Sequence, residues 1–223
     1  MSTVGQLERA TQNRVVKLFK DELKYTYLGN WEERPNNSNI EEGLLTSYLS
    51  NKGYSPAQIT KALYQLRTTA NNYNESLYTN NKNVYKLLRY GVPVKAEAGE
   101  RFEPVHLIDW ENPEKNDFAI AEEVTIQCNR EKRPDIVLYV NGIALGVLEL
   151  KRSTVSIADG IRQSIVNQQK EFIGSFFSTA SSYSLGTTPK GCDTELSARL
   201  KSSFSNGRRT WRMTAVCSWI NTS

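Results

Sequence analysis

The chain has 223 residues, 39% hydrophobic and 23% charged, with a formal net charge of +4 and a pI near 8.9. That is the make-up of one large globular domain or two small ones, and no apolar run approaches the ~20 residues that a membrane-spanning helix needs. A single histidine, His106, gives a histidine-based zinc site or a Ser-His-Asp triad little to build on, and three cysteines (Cys128, Cys192, Cys217) form neither an even disulfide framework nor a CxxC pair.

In chain order, "MSTVGQLERATQNRVVKLF" lacks the apolar core of a signal peptide, so a cytoplasmic location and no membrane partner are expected. Leu7, Val15, Leu18, Phe19 and Leu23 recur at helical spacing over residues 4–24. Lys17, Lys20 and Lys24 then read as a solvated helix face. "TYLGNWEERPNNSN" reads as a loop. Ser38 or Asn39 is expected to cap a second helix, with Glu41 and Glu42 in its first turn and Leu44, Leu45, Tyr48 and Leu49 inside. Pro56 opens a third helix through Ile59, Leu63 and Leu66, and a fourth spans about residues 79–89. Residues 1–90 are thus expected to be a helical part. Residues 91–180 change texture: "VPVKAEA", "EPVHLIDW" and "DFAIAEEVTIQ" are short segments rich in β-formers. Within them His106 reads as a strand residue, and Glu122 and Glu123 as strand residues with one facing out, none of the three a ligand or catalyst. A hairpin, "RPDIVLYVNGIALGVLELK" (133–151), follows, and then "SIADGIRQSIVNQQKEFIGSFF" at helical spacing. Strands with helices packed on them predict a mixed α/β sheet.

The hairpin is built for burial, yet Asp135 stands at its entrance and Glu149 and Lys151 at its exit. A two-residue Asn141-Gly142 turn would set Asp135 opposite Leu148 and send Glu149 to the other face. A three-residue loop, Val140–Gly142 with Gly142 left-handed, sets Asp135 opposite Val147 and lines up Asp135, Glu149 and Lys151 on one face. The second register is expected, because it gathers the charges. Two carboxylates on neighbouring strand ends, with the Leu150 carbonyl beside them, make an oxygen-rich site for a hard cation such as Mg²⁺. Such a cation with Lys151 near a water suits phosphodiester hydrolysis. The residues alone leave open a second reading, solvated strand ends with a gatekeeper lysine.

The order "NIEEGLLTSYLSNKGYS", "VYKLLRYGVPVK", "LIDWENPEKNDFAIAEEVTI", "RPDIVLYVNGIALGVLELK" and "SIADGIRQSIVNQQKEFIGSFFST" resembles the N-terminal nuclease domain of the restriction subunit of type I restriction–modification enzymes, over about residues 10–180. The resemblance implies a PD-(D/E)xK fold, a restriction-endonuclease-like mixed central sheet flanked by helices. It implies a type I site-specific deoxyribonuclease with Asp135, Glu149 and Lys151 at the metal-binding and catalytic positions. Gln168 matches the Gln of a following Gln-x-x-x-Tyr element, although Phe172 stands where Tyr is usual. An acidic residue on an early helix often completes such sites, and Glu42, or else Glu41, could serve. The implied partners are double-stranded DNA and the modification and specificity subunits. ATP belongs to a motor region, and no G-x-x-x-x-G-K-[ST] loop occurs in this chain.

Residues 181–223 are rich in Ser, Thr and Arg without a sustained apolar period. Read from the third base of suitable codons, Ser181–Asp193 yields "LVFAGNDTQGLR", which resembles the family's next strand. The expectation is a frame slip near Ala180 and an aberrant, out-of-frame tail. A truncated chain with the later strands of the sheet lost, cutting DNA poorly or not at all alone, would follow. A basic DNA-binding tail around Arg208, Arg209 and Arg212 is the other reading of this segment. For the whole chain, the alternative to a nuclease is a non-catalytic module docking on DNA or on the modification subunits.

Overall fold

The computed structural model describes residues 3–95, 101–127, 131–151, 174–180 and 182–187. These hold four α-helices, α1 (Thr3–Lys17), α2 (Glu42–Asn51), α3 (Pro56–Ala70) and α4 (Leu77–Tyr90). They also hold the strands β1 (Thr26–Asn30), β2 (Val92–Val94), β3 (Glu103–Val105), β4 (Phe118–Glu122), β5 (Ile136–Val140), β6 (Ile143–Lys151) and β7 (Ser182–Thr187). The main sheet runs β1-β4-β5-β6-β7, antiparallel through its three central strands and parallel at both edges. β2 and β3 pair separately. This is the expected α/β class with a mixed central sheet. No helix among the described residues is long and apolar enough to cross a membrane.

Local chemistry explains the helices. Ser55 and Gln58 form a reciprocal capping box with Pro56 at the first helical position, so α3 starts where the sequence says. Ser76 caps α4 by accepting from Thr79 N–H, and Gly91, at φ 83°, ends it. α1 runs into a π-helical turn, Leu18–Glu22.

Three layers follow. Val15, Val16 and Phe19 pack on one face of the sheet against Ile120, Ile136, Leu138, Leu148 and Leu150. On the other face Trp31, Phe176 and Phe177 cover Ala119, Ala121, Val137, Tyr139, Ala144 and Val147. The α2–α4 layer buries Leu45, Leu49, Leu66, Val84 and Leu88 with Val140, Ile143 and Leu145 at the hairpin's turn. Each fully buried Leu or Ile of this kind contributes ~2 kcal/mol of transfer free energy.

Three expectations are corrected. Thr26–Asn30 is a strand, not loop. As an edge strand it is largely exposed, and Gly29 and Asn30 interrupt any alternation, so only its backbone pairing with β4 reveals it. Neither Ser38 nor Asn39 caps α2, because the helix begins later, after Glu41. Ser38 Oγ instead accepts from Ile40 N–H, and the Asn39 amide reaches Ser178 Oγ. Finally, the sheet does not stop at β6. Ser182–Thr187 pairs in parallel with it, Glu149 opposite Leu185 and Lys151 opposite Thr187. Strand pairing uses backbone groups, so a Ser-rich segment can supply it without an apolar period.

Candidate active site

The hairpin turn has two residues. Asn141 (φ 52°) and Gly142 (φ 84°) are both left-handed, the conformation of a type I′ turn. The expected three-residue loop is therefore corrected. The register nevertheless shifts by one residue within the strands. Tyr139 pairs with Ala144 but Leu138 with Gly146, so Leu145 is an extra residue, a bulge on β6. Beyond it Val137 faces Val147 and Ile136 faces Leu148. The next residues out along the two strands are Asp135, just before β5, and Glu149. One bulge in the strand does what one extra residue in the loop would have done.

Asp135 ends the approach to β5. Its Oδ2 accepts the Leu150 N–H at 2.6 Å, which ties the carboxylate across to β6 between Glu149 and Lys151. Glu149 is only 5% exposed. Burying a carboxylate beside another is costly without a compensating positive charge or donors. Lys151 closes β6, and its side chain, like Gln168 and Phe172, lies outside the described residues.

The structure does not bring Glu41 or Glu42 to this pair. Glu41 N–H donates to Gly142 O at 2.8 Å, so both glutamates sit at the turn end of the hairpin, about 20 Å along β6 from Glu149 at ~3.3 Å per residue. Arg34 engages Glu41 through both guanidinium nitrogens, at 2.7 and 3.1 Å, and Arg67 pairs with Glu42 at 2.8 Å. Among the described residues no group of three His, Cys, Asp or Glu side chains is gathered for a metal. The donors at hand are Asp135, Glu149 and the intervening backbone. Lys17, Lys20 and Lys24 are exposed, and His106 falls just past β3.

What sequence reasoning missed is the polar network behind Asp135. Gln12, 6% exposed, donates from α1 to Glu123 Oε1 at 3.0 Å and to the Asp135 carbonyl at 3.3 Å. Glu123 takes a left-handed backbone, φ 50°, immediately after β4, and its N–H donates to the Asp135 carbonyl at 2.9 Å. Arg133 Nε binds Glu123 Oε2 at 2.9 Å, and Arg9 pairs with Glu122 at 3.1 Å. Burial, and then the Asp135 and Glu122 charges, push the Glu123 carboxyl up, against the donation from Gln12 and the Arg9 charge. Burial and the hydrogen bond to Glu122 push the Tyr27 phenol up to about 12. One signal for this network was present in the sequence: Gln12 stands on the same helical stripe as Val15, Val16 and Phe19.

Comparison with known proteins gives a consistent picture. The model of the family described as type I restriction enzyme R protein N terminus matches residues 5–215. A protein of Methanocaldococcus jannaschii, provisionally named the type I restriction enzyme MjaIXP endonuclease subunit, is 36% identical over 98 residues, covering 40% of this chain and 9% of that protein. The type I restriction enzyme HindI endonuclease subunit of Haemophilus influenzae is 38% identical over 87 residues, covering 37% of this chain and 8% of its own length. The matches thus span less than a tenth of these relatives.

Proposed function

We propose, for a chain that belongs to the family of type I restriction enzyme R protein N termini, that the open end of the β5–β6 hairpin is a Mg²⁺-dependent site for hydrolysing DNA phosphodiester bonds. The observation that supports this is the Asp135 carboxylate bound by the Leu150 N–H, which brings it to β6 beside Glu149. A strand residue directs its N–H and C=O to the same side, so the Leu150 carbonyl points the way its N–H does, towards Asp135. Two carboxylate oxygens and a carbonyl form the hard-oxygen donor set that Mg²⁺ takes, with the rest of its shell left to water and phosphate. Such an ion makes a water more acidic and offsets charge on the phosphate. Asp135 and Glu149 hold it, the Leu150 N–H fixes the orientation of Asp135, and Lys151 orients the attacking water and stabilises the transition-state charge. The water oxygen would bond to phosphorus as the bridging P–O bond breaks, the water's proton would pass to solvent, and the leaving oxygen would take a proton from solvent in turn.

In this reading the substrate is double-stranded DNA, the partners are the modification and specificity subunits, and ATP acts outside this segment. The chain alone cuts weakly or not at all. The out-of-frame origin of residues 181–223 is kept as a proposal, although the family match runs past Ala180 to residue 215. An independent read of the coding DNA across Ser178–Tyr183 decides it.

The functional test combines calorimetric Mg²⁺ binding with nicking of supercoiled plasmid at high protein concentration. Asp135→Ala should remove both cation binding and any nicking while leaving DNA binding in place. A wild-type chain that binds DNA but neither Mg²⁺ nor Mn²⁺ would replace the nuclease by a docking module. Robust ATP-dependent, site-directed cleavage by the isolated chain would refute its weakness alone.

A further inference from the structure

The tripeptide Arg133-Pro134-Asp135 is held at every residue by Glu123 and its neighbours. Glu123 N–H donates to the Asp135 carbonyl at 2.9 Å, Val124 N–H to the Pro134 carbonyl at 3.1 Å, and the Glu123 carboxylate binds Arg133 at 2.9 Å. Gln12 joins the same point from 123 residues away, giving its amide to both Glu123 Oε1 and the Asp135 carbonyl. An amide nitrogen has two protons, and both are used. Gln12 is buried on an apolar helix face where a hydrocarbon side chain would be cheaper to desolvate. Glu123 adopts a left-handed backbone that non-glycine residues seldom take, and such conformations persist where the surroundings over-determine them.

We infer that Gln12 and Glu123 are positioning residues that set the Asp135 carboxylate for cation binding. The inference rests on the reading of Asp135 and Glu149 as a cation site. Glu123 acts through its neighbours and is not itself a ligand, because Gln12, Arg9 and Arg133 already engage its carboxylate. Gln12 is the better probe, since removing its amide changes no charge near the cation.

The experiment is titration of the full chain with Mn²⁺, a spectroscopically and calorimetrically visible stand-in for Mg²⁺. Gln12→Leu should weaken Mn²⁺ binding about 10-fold, as loss of groups that orient metal ligands does. Gln12→Asn, which keeps the amide but shortens its reach and serves as the second probe should the leucine variant misfold, should weaken it less. Adding Gln12→Leu to Glu123→Gln should weaken binding less than it does in the wild type, because both act on the same carbonyl. A purely structural role would lower the thermal midpoint and leave the affinity of the folded protein unchanged. Wild-type binding that Asp135→Ala abolishes, with both Gln12 variants at wild-type affinity, overturns this inference alone. A wild type with no Mn²⁺ affinity overturns the cation site and this inference with it.

Discussion

The two ends of the β5–β6 hairpin contrast two uses of buried polarity. At the turn end Asn141 is fully buried and every polar atom of its amide is matched: Nδ2 donates to Leu107 O and Asn116 Oδ1, and Oδ1 accepts from Asp117 N–H. Asn116 repeats the pattern, donating to Asp109 O and Pro113 O. These groups are neutral and serve the fold. At the open end, some six residues away, the polar groups are carboxylates, backed by a network of charged and amide side chains. Neutral, fully paired amides fix a turn at modest cost. Facing carboxylates raise the local energy unless something positive joins them. On the proposed reading, that difference separates the end that specifies the structure from the end that takes the cation.

Substitution at each end should therefore move different observables. The largest effect expected is on function. Asp135→Asn should weaken Mn²⁺ binding by at least ~100-fold, since loss of a carboxylate ligand costs a hard cation about 3 kcal/mol or more. Urea unfolding of that variant should stay close to the wild type, because the asparagine carbonyl can still accept the Leu150 N–H. Next comes Asn141→Ala, which leaves the Asp117 N–H and the Leu107 carbonyl buried without their partner and should cost ~3 kcal/mol in urea denaturation. Its Mn²⁺ affinity, measured on the folded protein, should be unchanged. Gly142→Ala should cost a further fraction less, ~2–3 kcal/mol. A Cβ there would lie 2.8 Å from the Glu41 carbonyl oxygen and 2.9 Å from Leu45 N, at a φ of 84°. If either turn variant lost cation affinity while folded, the two ends would be coupled and the contrast would fail.

The same contrast shows what the sequence could display. Asn-Gly between two apolar runs is a strong two-residue turn signal, and the sequence alone argued past it to keep three charges on one face. The register does shift, but through a bulge at Leu145, which no residue type announces: Leu is what an ordinary strand would carry there. Helix α3 was legible through Pro56 at its first position and α4 through its apolar spacing, whereas the caps Ser55, Ser76 and Gly91 passed unread. β1 was not, since an exposed edge strand is defined by its partner, β4, rather than by its own pattern. Asp135, Glu149 and Lys151 could be picked out by their placement at strand ends. Glu42 was a plausible helical acid, but tertiary packing delivers α2 to the turn end. Gln12 reaches Asp135 only through a contact spanning 123 residues, and periodicity carries no information at that range.

The smallest expected effect is also the one whose sign differs between the two ends. Asp109 lies at the rim of the turn-end network, its backbone bound to Asn116 and its carboxylate to Lys52 at 2.9 Å and to Asn112 N–H at 2.9 Å. The Lys52 bond first, and the Asn112 N–H next, hold its pKa down at about 2, below the ordinary 3.8. A carboxyl depressed in the folded state adds stability that is present above the ordinary value and is lost as pH falls through about 2. Glu123 at the open end is raised, chiefly by burial, so its contribution has the opposite sense: present at low pH and lost as pH rises through the folded value. Asp109→Asn should therefore narrow its stability gap to the wild type progressively between pH 4 and pH 2, read from urea midpoints. The gap itself should be small, because the Lys52 pair is partly solvated and screened by salt. A gap that stayed constant down to pH 2 would show that Lys52 and Asn112 do not favour the charged form of Asp109. The Asp109 corner of the turn end would then be held by its neutral hydrogen bonds to Asn116 alone.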